Sequence, residues 1–240
     1  MAAHRTRNAW FALTLLVALG ALLAATDVRG QSRNLAPGFE ALPRNARVVL
    51  MPVDIELFSV SAGGILEPRA DWTEAAGRNF KAALHAKQKA IGTAVIEWSD
   101  ADADDVAEVN ALHAAIARAI SMHHFGDRGL NLPTKDGKLD WSMGEAVAPI
   151  KRKTGADYAL FTWLRDSYAS GERIATMIIM ALLGVGMGGG VQTGYASLVE
   201  LETGRVLWFN ELLRVSGDLR EPARATETLK ALLANFPATK

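Results

Sequence analysis

Ala196-Ser197-Leu198-Val199-Glu200-Leu201-Glu202-Thr203-Gly204-Arg205-Val206-Leu207-Trp208 decides the fold. Two apolar runs rich in β-formers, residues 191–201 and 205–211, flank a Glu-Thr-Gly-Arg turn. That pattern predicts a β-hairpin, and a hairpin pairs antiparallel. The preceding strand signal is Asp157 to Tyr168. It opens directly after a short helix that starts near Pro149, carries Lys151, Arg152 and Lys153 at its negative end, and stops at Gly155.

Further upstream, Arg47-Val48-Val49-Leu50-Met51 is a continuous apolar run, as expected of a strand buried on both faces. Pro52 interrupts it, and Val53, Ile55 and Leu57 then alternate with Asp54 and Glu56. Asp71 and Glu74 form a capping-box pattern for a helix with the stripe Trp72, Ala76, Phe80, Ala83 and Leu84, closed by Gly92. Ala94–Trp98 reads as a strand. Asp100, Asp102, Asp104 and Asp105 open a helix lined by Val109, Leu112, Ile116 and Ile120 and ended by Gly126. The last helix begins at Pro222, with Leu229, Leu232, Leu233 and Phe236 as its stripe. Helical crossovers early and a hairpin late predict an α+β fold: a mixed sheet with a C-terminal antiparallel hairpin and helices packed on it. Val49, Phe80, Ile116, Leu160, Val199 and Leu232 are expected to meet in one core.

Residues 1–30 have the parts of a secretory signal: Arg5 and Arg7, an uncharged apolar run from Ala9 to Ala25, and the small residues Val28 and Gly30. Cleavage is expected after Gly30. A cut after Ala25 and a retained anchor of about 17 apolar residues are the alternatives. Either way the domain lies outside the cytoplasm, in the periplasm. Residues 31–45, rich in Pro, Gly, Asn and Arg, read as a linker, and 46–240 as a single domain. Losing residues 1–30 takes the charge balance from 26 basic against 26 acidic residues to 23 against 25, so no nucleic-acid partner is expected. The chain has no cysteine, which excludes disulfides, thiol catalysis, thiolate metal sites and lipid attachment at a cysteine.

Three features resemble a known superfamily: the strand into proline Val48–Val53, the strand Gly155–Leu160 directly after a helix, and the hairpin Ala196–Trp208. In this order they are similar to the exported bacterial domains related to the N-terminal domain of TolB, the curli secretion protein CsgG and the penicillin-binding-protein activator LpoB. The resemblance implies an envelope protein that binds other envelope components rather than an enzyme. Many such domains are lipoproteins, and this chain departs from them in lacking the lipid-accepting cysteine.

No set of residues assembles a catalytic role pattern. Ser167 or Ser170 with Asp166 and His123 is the nearest approach to a hydrolase, without a G-x-S-x-G elbow. Gly184-Val185-Gly186-Met187-Gly188-Gly189-Gly190 contains G-x-G-x-x-G, but after an apolar helix and before a strand, the reverse of a dinucleotide site. His85, His113, His123 and His124 lack chelating spacing, and the aspartates 100–105 lack a calcium-loop frame. Neither cofactor nor metal is expected. An exported hydrolase and a subunit of an envelope transport or secretion complex are the competing readings. The most unusual stretch is Ile174 to Gly190, seventeen residues without a charge. A helix there buried all round is the bland expectation. The sharper one is an interaction surface made of Ile174, Met177, Ile178, Ile179, Leu182, Leu183, Gly184, Gly186 and Gly188, facing another copy, an envelope partner or the membrane surface.

Overall fold

The computed structural model describes residues 32–91 and 94–239. The signal-segment expectations and the closing role given to Gly92 lie outside them. The elements are β1 (Arg47–Leu50), β2 (Asp54–Val60), β3 (Leu66–Pro68), α1 (Ala70–Ile91), β4 (Ala94–Glu97), α2 (Ala107–Ile120), α3 (Ala148–Thr154), β5 (Tyr158–Ala169), α4 (Gly171–Leu182), β6 (Gln192–Glu200), β7 (Val206–Arg214) and α5 (Pro222–Leu232). Short 3-10 and π turns join them.

The long strand β5 organises the sheet. One of its edges takes β1 and then β2, both parallel: Val48–Leu50 opposite Tyr158–Leu160, and Asp54–Val60 opposite Trp163–Ala169. Pro52 explains the division, since it has no N–H to give to a ladder. Its neighbour Met51 still donates to the Leu160 carbonyl at 3.1 Å. The other edge of β5 takes β6 antiparallel, and β6 takes β7 in the expected hairpin. Outside these, β4 lies parallel to β1 and β3 antiparallel to β2. The fold is α+β with a mixed sheet.

Helices cover the sheet on both faces, so there are two cores, not one. Side chains alternate along a strand, and adjacent apolar residues serve opposite faces. Phe80, Leu84, Leu160, Leu164, Leu198, Trp208, Leu229 and Leu232 form the core beneath α1 and α5. Val49, Phe161, Trp163, Val199, Phe209, Ala117, Ile120 and Ile150 form the other, beneath α2 and α3. The six residues expected together therefore divide three and three, with Ile116 only half-buried at the margin of the second group.

The buried line of α2 is His113, Ala117 and Ile120; of the expected stripe Ile120 is buried, while Val109, Leu112 and Ile116 are half-buried beside it. The His113 ring stacks on Phe161 with centroids 4.9 Å apart, and its Nε2 meets Ser197 Oγ at 2.8 Å. Burial pushes the His113 pKa down to about 3, so the ring is neutral. The acidic turn before α2 is held by lysines. Lys153 Nζ lies 3.0 Å from both Asp102 and Asp105, and Lys81 pairs with Asp100 at 2.6 Å.

Residues 33–45, expected as linker, are packed into the domain. Leu35 bridges Trp208, Ala36 N donates to Leu207 O at 2.8 Å, and Phe209 N donates to Asn34 O at 3.0 Å. Leu42 is buried and its N–H reaches Pro237 O. An aperiodic segment thus pairs with part of the outer edge of β7, which would otherwise present open backbone groups.

Candidate functional site: the apolar end of the sheet

β2 ends at Val60, β5 at Ala169 and β7 at Arg214, and β6 begins at Gln192, all at the same end of the sheet. α4 grows from this end. Ser170 N donates to Val60 O at 3.0 Å, and its Oγ accepts from Arg173 N at 3.1 Å, a helix N-cap. The cap fixes where the helix begins.

A surface helix ordinarily turns its apolar stripe inward and its polar side to water. α4 departs from this and leaves most of its apolar side chains facing outward. Its half-buried side carries Arg173, Thr176, Met177 and Met180. Ala175, Ile178, Ile179, Ala181, Leu182 and Leu183 are exposed, as is Ile174, and no residue of the helix is buried. At 3.6 residues per turn the exposed apolar side spans roughly 200° of the circumference. Leu182 and Leu183 at the helix end retain 84% and 71% of their surface. The helix closes at Gly184, in the left-handed region at φ 77°, and the chain returns through the glycine run to β6. A Cβ on Gly190 would sit 1.9 Å from the Ser167 carbonyl oxygen, so only glycine fits where the returning chain meets β5.

Of the thirteen large hydrophobic residues that are exposed among the described residues, eleven belong to this end: Ile174, Ile178, Ile179, Leu182, Leu183, Val185 and Val191 on the α4 arm, with Ile65, Leu66, Leu213 and Val215 from two other segments. The β2–β3 turn touches the arm through Arg173, whose Nη1 donates to Ser61 O at 3.4 Å. Val215 and Ile174 line a common cleft of about 270 Å³. Of the residues expected to form an interaction surface, Ile174, Ile178, Ile179, Leu182, Leu183, Gly184, Gly186 and Gly188 are exposed, whereas Met177 is half-buried on the inner side. Ile65, Leu66, Leu213 and Val215 were not foreseen. Each is a single or paired apolar residue with no signal of its own, and only the strand order brings it here.

Beneath the arm lies a polar cluster. Asp166 is buried, and burial raises its pKa against the opposing hydrogen bonds. Its Oδ1 accepts from Ser167 N at 2.9 Å, and its Oδ2 accepts from Gln192 Nε2 at 2.5 Å and from the Tyr168 hydroxyl. Gln192 Oε1 in turn accepts from Arg214 Nε at 2.7 Å and Thr228 Oγ1 at 3.1 Å. Arg220 stacks on Tyr168 at 4.1 Å and Trp72 at 4.4 Å, and pairs with Asp218 at 2.6 Å.

The hydrolase candidates occupy structural positions. Ser167 Oγ donates to Val191 O and accepts from Val191 N, tying β5 to the start of β6. Ser170 is the α4 cap. His123 Nδ1 meets Leu130 O at 2.7 Å, and among the described residues no hydrogen bond joins it to Ser167, Ser170 or Asp166. Nor do three metal-ligating side chains converge among the described residues. What this end offers chemically is aliphatic surface. Fully burying one such side chain is worth about 1.5–3 kcal/mol, so leaving Ile178, Ile179, Leu182 and Leu183 in water forfeits on the order of 5 kcal/mol.

No protein-family model and no curated protein matches the chain. Among solved structures it is similar to the PelC dodecamer from Paraburkholderia phytofirmans, with a TM-score of 0.41 and 14% identity over 86% of this chain and 95% of that one. It is similar also to the lipoprotein GNA1162 from Neisseria meningitidis, with a TM-score of 0.31 and 12% identity over 79% and 94% of the two chains. The C-terminal domain of LpoB from Salmonella enterica, one of the relatives suggested by the sequence motifs, has a TM-score of 0.28 and 14% identity over 75% and 87%. Likeness at this level says nothing about activity or partner.

Proposed function

We propose that the protein is an exported, non-enzymatic accessory protein of the bacterial envelope, periplasmic, and that it acts by contact through the apolar end of its sheet. The observation that carries this reading is the orientation of α4, with Arg173 and Thr176 turned toward the protein and Ile178, Ile179, Leu182 and Leu183 toward the outside. A contiguous exposed apolar patch marks an interaction site. The signal-type residues 1–30 support export, with the mature chain starting at Gln31.

Replacing Ile178 or Ile179 singly with Asp tests the reading. Both side chains are 59% exposed, so each variant keeps the wild-type urea midpoint. Each loses the contact, read as failure to co-fractionate with the cell envelope or to self-associate. Variants that unfold would show that α4 is part of the core. Folded variants that keep every wild-type association would show that the helix contacts nothing.

A further inference from the structure

We infer that the surface covering this end is a lipid bilayer, entered by the α4 arm together with the β2–β3 turn and the end of β7. The inference rests on the contact reading above and names what is contacted.

Four observations favour lipid over a protein partner. First, the exposed side chains come from three separate chain segments, Ile65 and Leu66, Ile174 to Val191, and Leu213 and Val215. A bilayer receives several separate protrusions without a matching groove, whereas a protein partner must be shaped to all three. Second, all eleven side chains are aliphatic. Protein interfaces are commonly anchored by aromatic side chains, and no Trp, Tyr or Phe is among the exposed large hydrophobic residues at this end. Third, the chain carries no charge from Ile174 through Val199, which suits hydrocarbon and provides nothing for a partner's charges to recognise. Fourth, the residues behind the apolar set are those favoured at the polar boundary of a membrane. Trp72 and Tyr168 lie edge to face at 5.8 Å, with Arg69 over Trp72 at 4.3 Å and Arg220 over both rings.

Length limits the mode of contact. The twelve residues of α4 extend about 18 Å. One leaflet of hydrocarbon is about 15 Å and the full core about 30 Å. The arm suits one leaflet and does not cross, in keeping with the absence of a membrane-spanning helix among the described residues. Thr176 Oγ1 donates to Glu172 O at 2.9 Å, and Arg173 donates to Gly188 O, so these two polar side chains are satisfied within the arm, while the exposed Glu172 in the first turn stays at its base.

The test uses the full chain in vesicles of uncharged phosphatidylcholine. The chain has no cysteine, so one engineered thiol carries one fluorophore. Leu182→Cys, Ile65→Cys and Val215→Cys report on the apolar end, and Glu202→Cys, exposed in the β6–β7 turn at the opposite end, is the control. Any anchoring by residues 9–25 is common to all four. The inference expects quenching by a lipid-borne quencher and protection from aqueous iodide at positions 182, 65 and 215, with the reverse at 202. Positions shielded from iodide but not quenched from the lipid would overturn the bilayer assignment and leave the contact reading standing, with protein as the partner. All four positions open to iodide, in vesicles and in cell envelopes alike, would overturn both.

Discussion

Arg173 in the first turn of α4 and Gly188 in the returning glycine run are joined by two hydrogen bonds to one oxygen: Nε and Nη2 both donate to the Gly188 carbonyl, at 3.0 and 2.9 Å. The same guanidinium reaches Ser61 in the β2–β3 turn. The one charged side chain on the inner side of the helix thereby ties together two of the three apolar segments.

Arg173→Ala is expected to loosen this arm without unfolding the domain. The site is partly exposed, so the cost in global stability is about 1 kcal/mol or less. Hydrogen exchange at the amides of residues 184–190 should accelerate while that of β5 and β6 stays slow. Unchanged exchange in the glycine run would show that Arg173 does not hold it.

Phe80 is fully buried between α1 and the sheet. Phe80→Ala should cost about 3–5 kcal/mol, seen as a lower urea midpoint with an unchanged slope. Phe161→Ala, in the core of the opposite face, should cost about the same. A negligible effect at either position would contradict the two-core arrangement.

His113 gives the fold an acid-side weakness. Its folded pKa, pushed down to about 3 by burial, lies below the usual value of about 6.5. Between these values the unfolded chain takes up a proton that the folded one excludes. The stability is therefore full above about pH 6.5 and is lost as the pH falls toward 3, by a few kcal/mol. His124, also lowered by burial, acts in the same direction. Asp166 acts in the opposite one, since its raised pKa makes the folded chain take up a proton sooner than the unfolded one as the pH falls. His113→Gln keeps a partner for Ser197 and should flatten the decline in urea midpoint between pH 6.5 and 4. Parallel curves for the two proteins would show that His113 is not buried neutral.

Much of the sheet was legible because its signals are local. The apolar run at 47–50, the strand after Gly155 and the turn at 202–205 each announce themselves within ten residues. The pairing of residues 34–36 with β7 was hidden, because it uses backbone groups and leaves no periodicity in the side chains. The division of the core was hidden for a related reason: Leu160 and Phe161 are equally apolar, and only the presence of helices on both faces separates them. At the candidate site, the uncharged stretch 174–190 stood out in the sequence, but a helix of Ala, Ile, Leu and Met does not say which side faces in. Arg173 lay just outside that stretch, and its inward turn is what the structure adds.

The central claim is that the apolar end is covered in the cell. Thiol accessibility measures this most directly, since the protein has no cysteine of its own. Leu182→Cys and Glu202→Cys, both exposed in the isolated domain, should react with a small maleimide at similar rates once purified away from the envelope. In intact envelopes the account predicts that Glu202→Cys reacts as before and Leu182→Cys is protected. Equal, rapid modification of both in the envelope would contradict it.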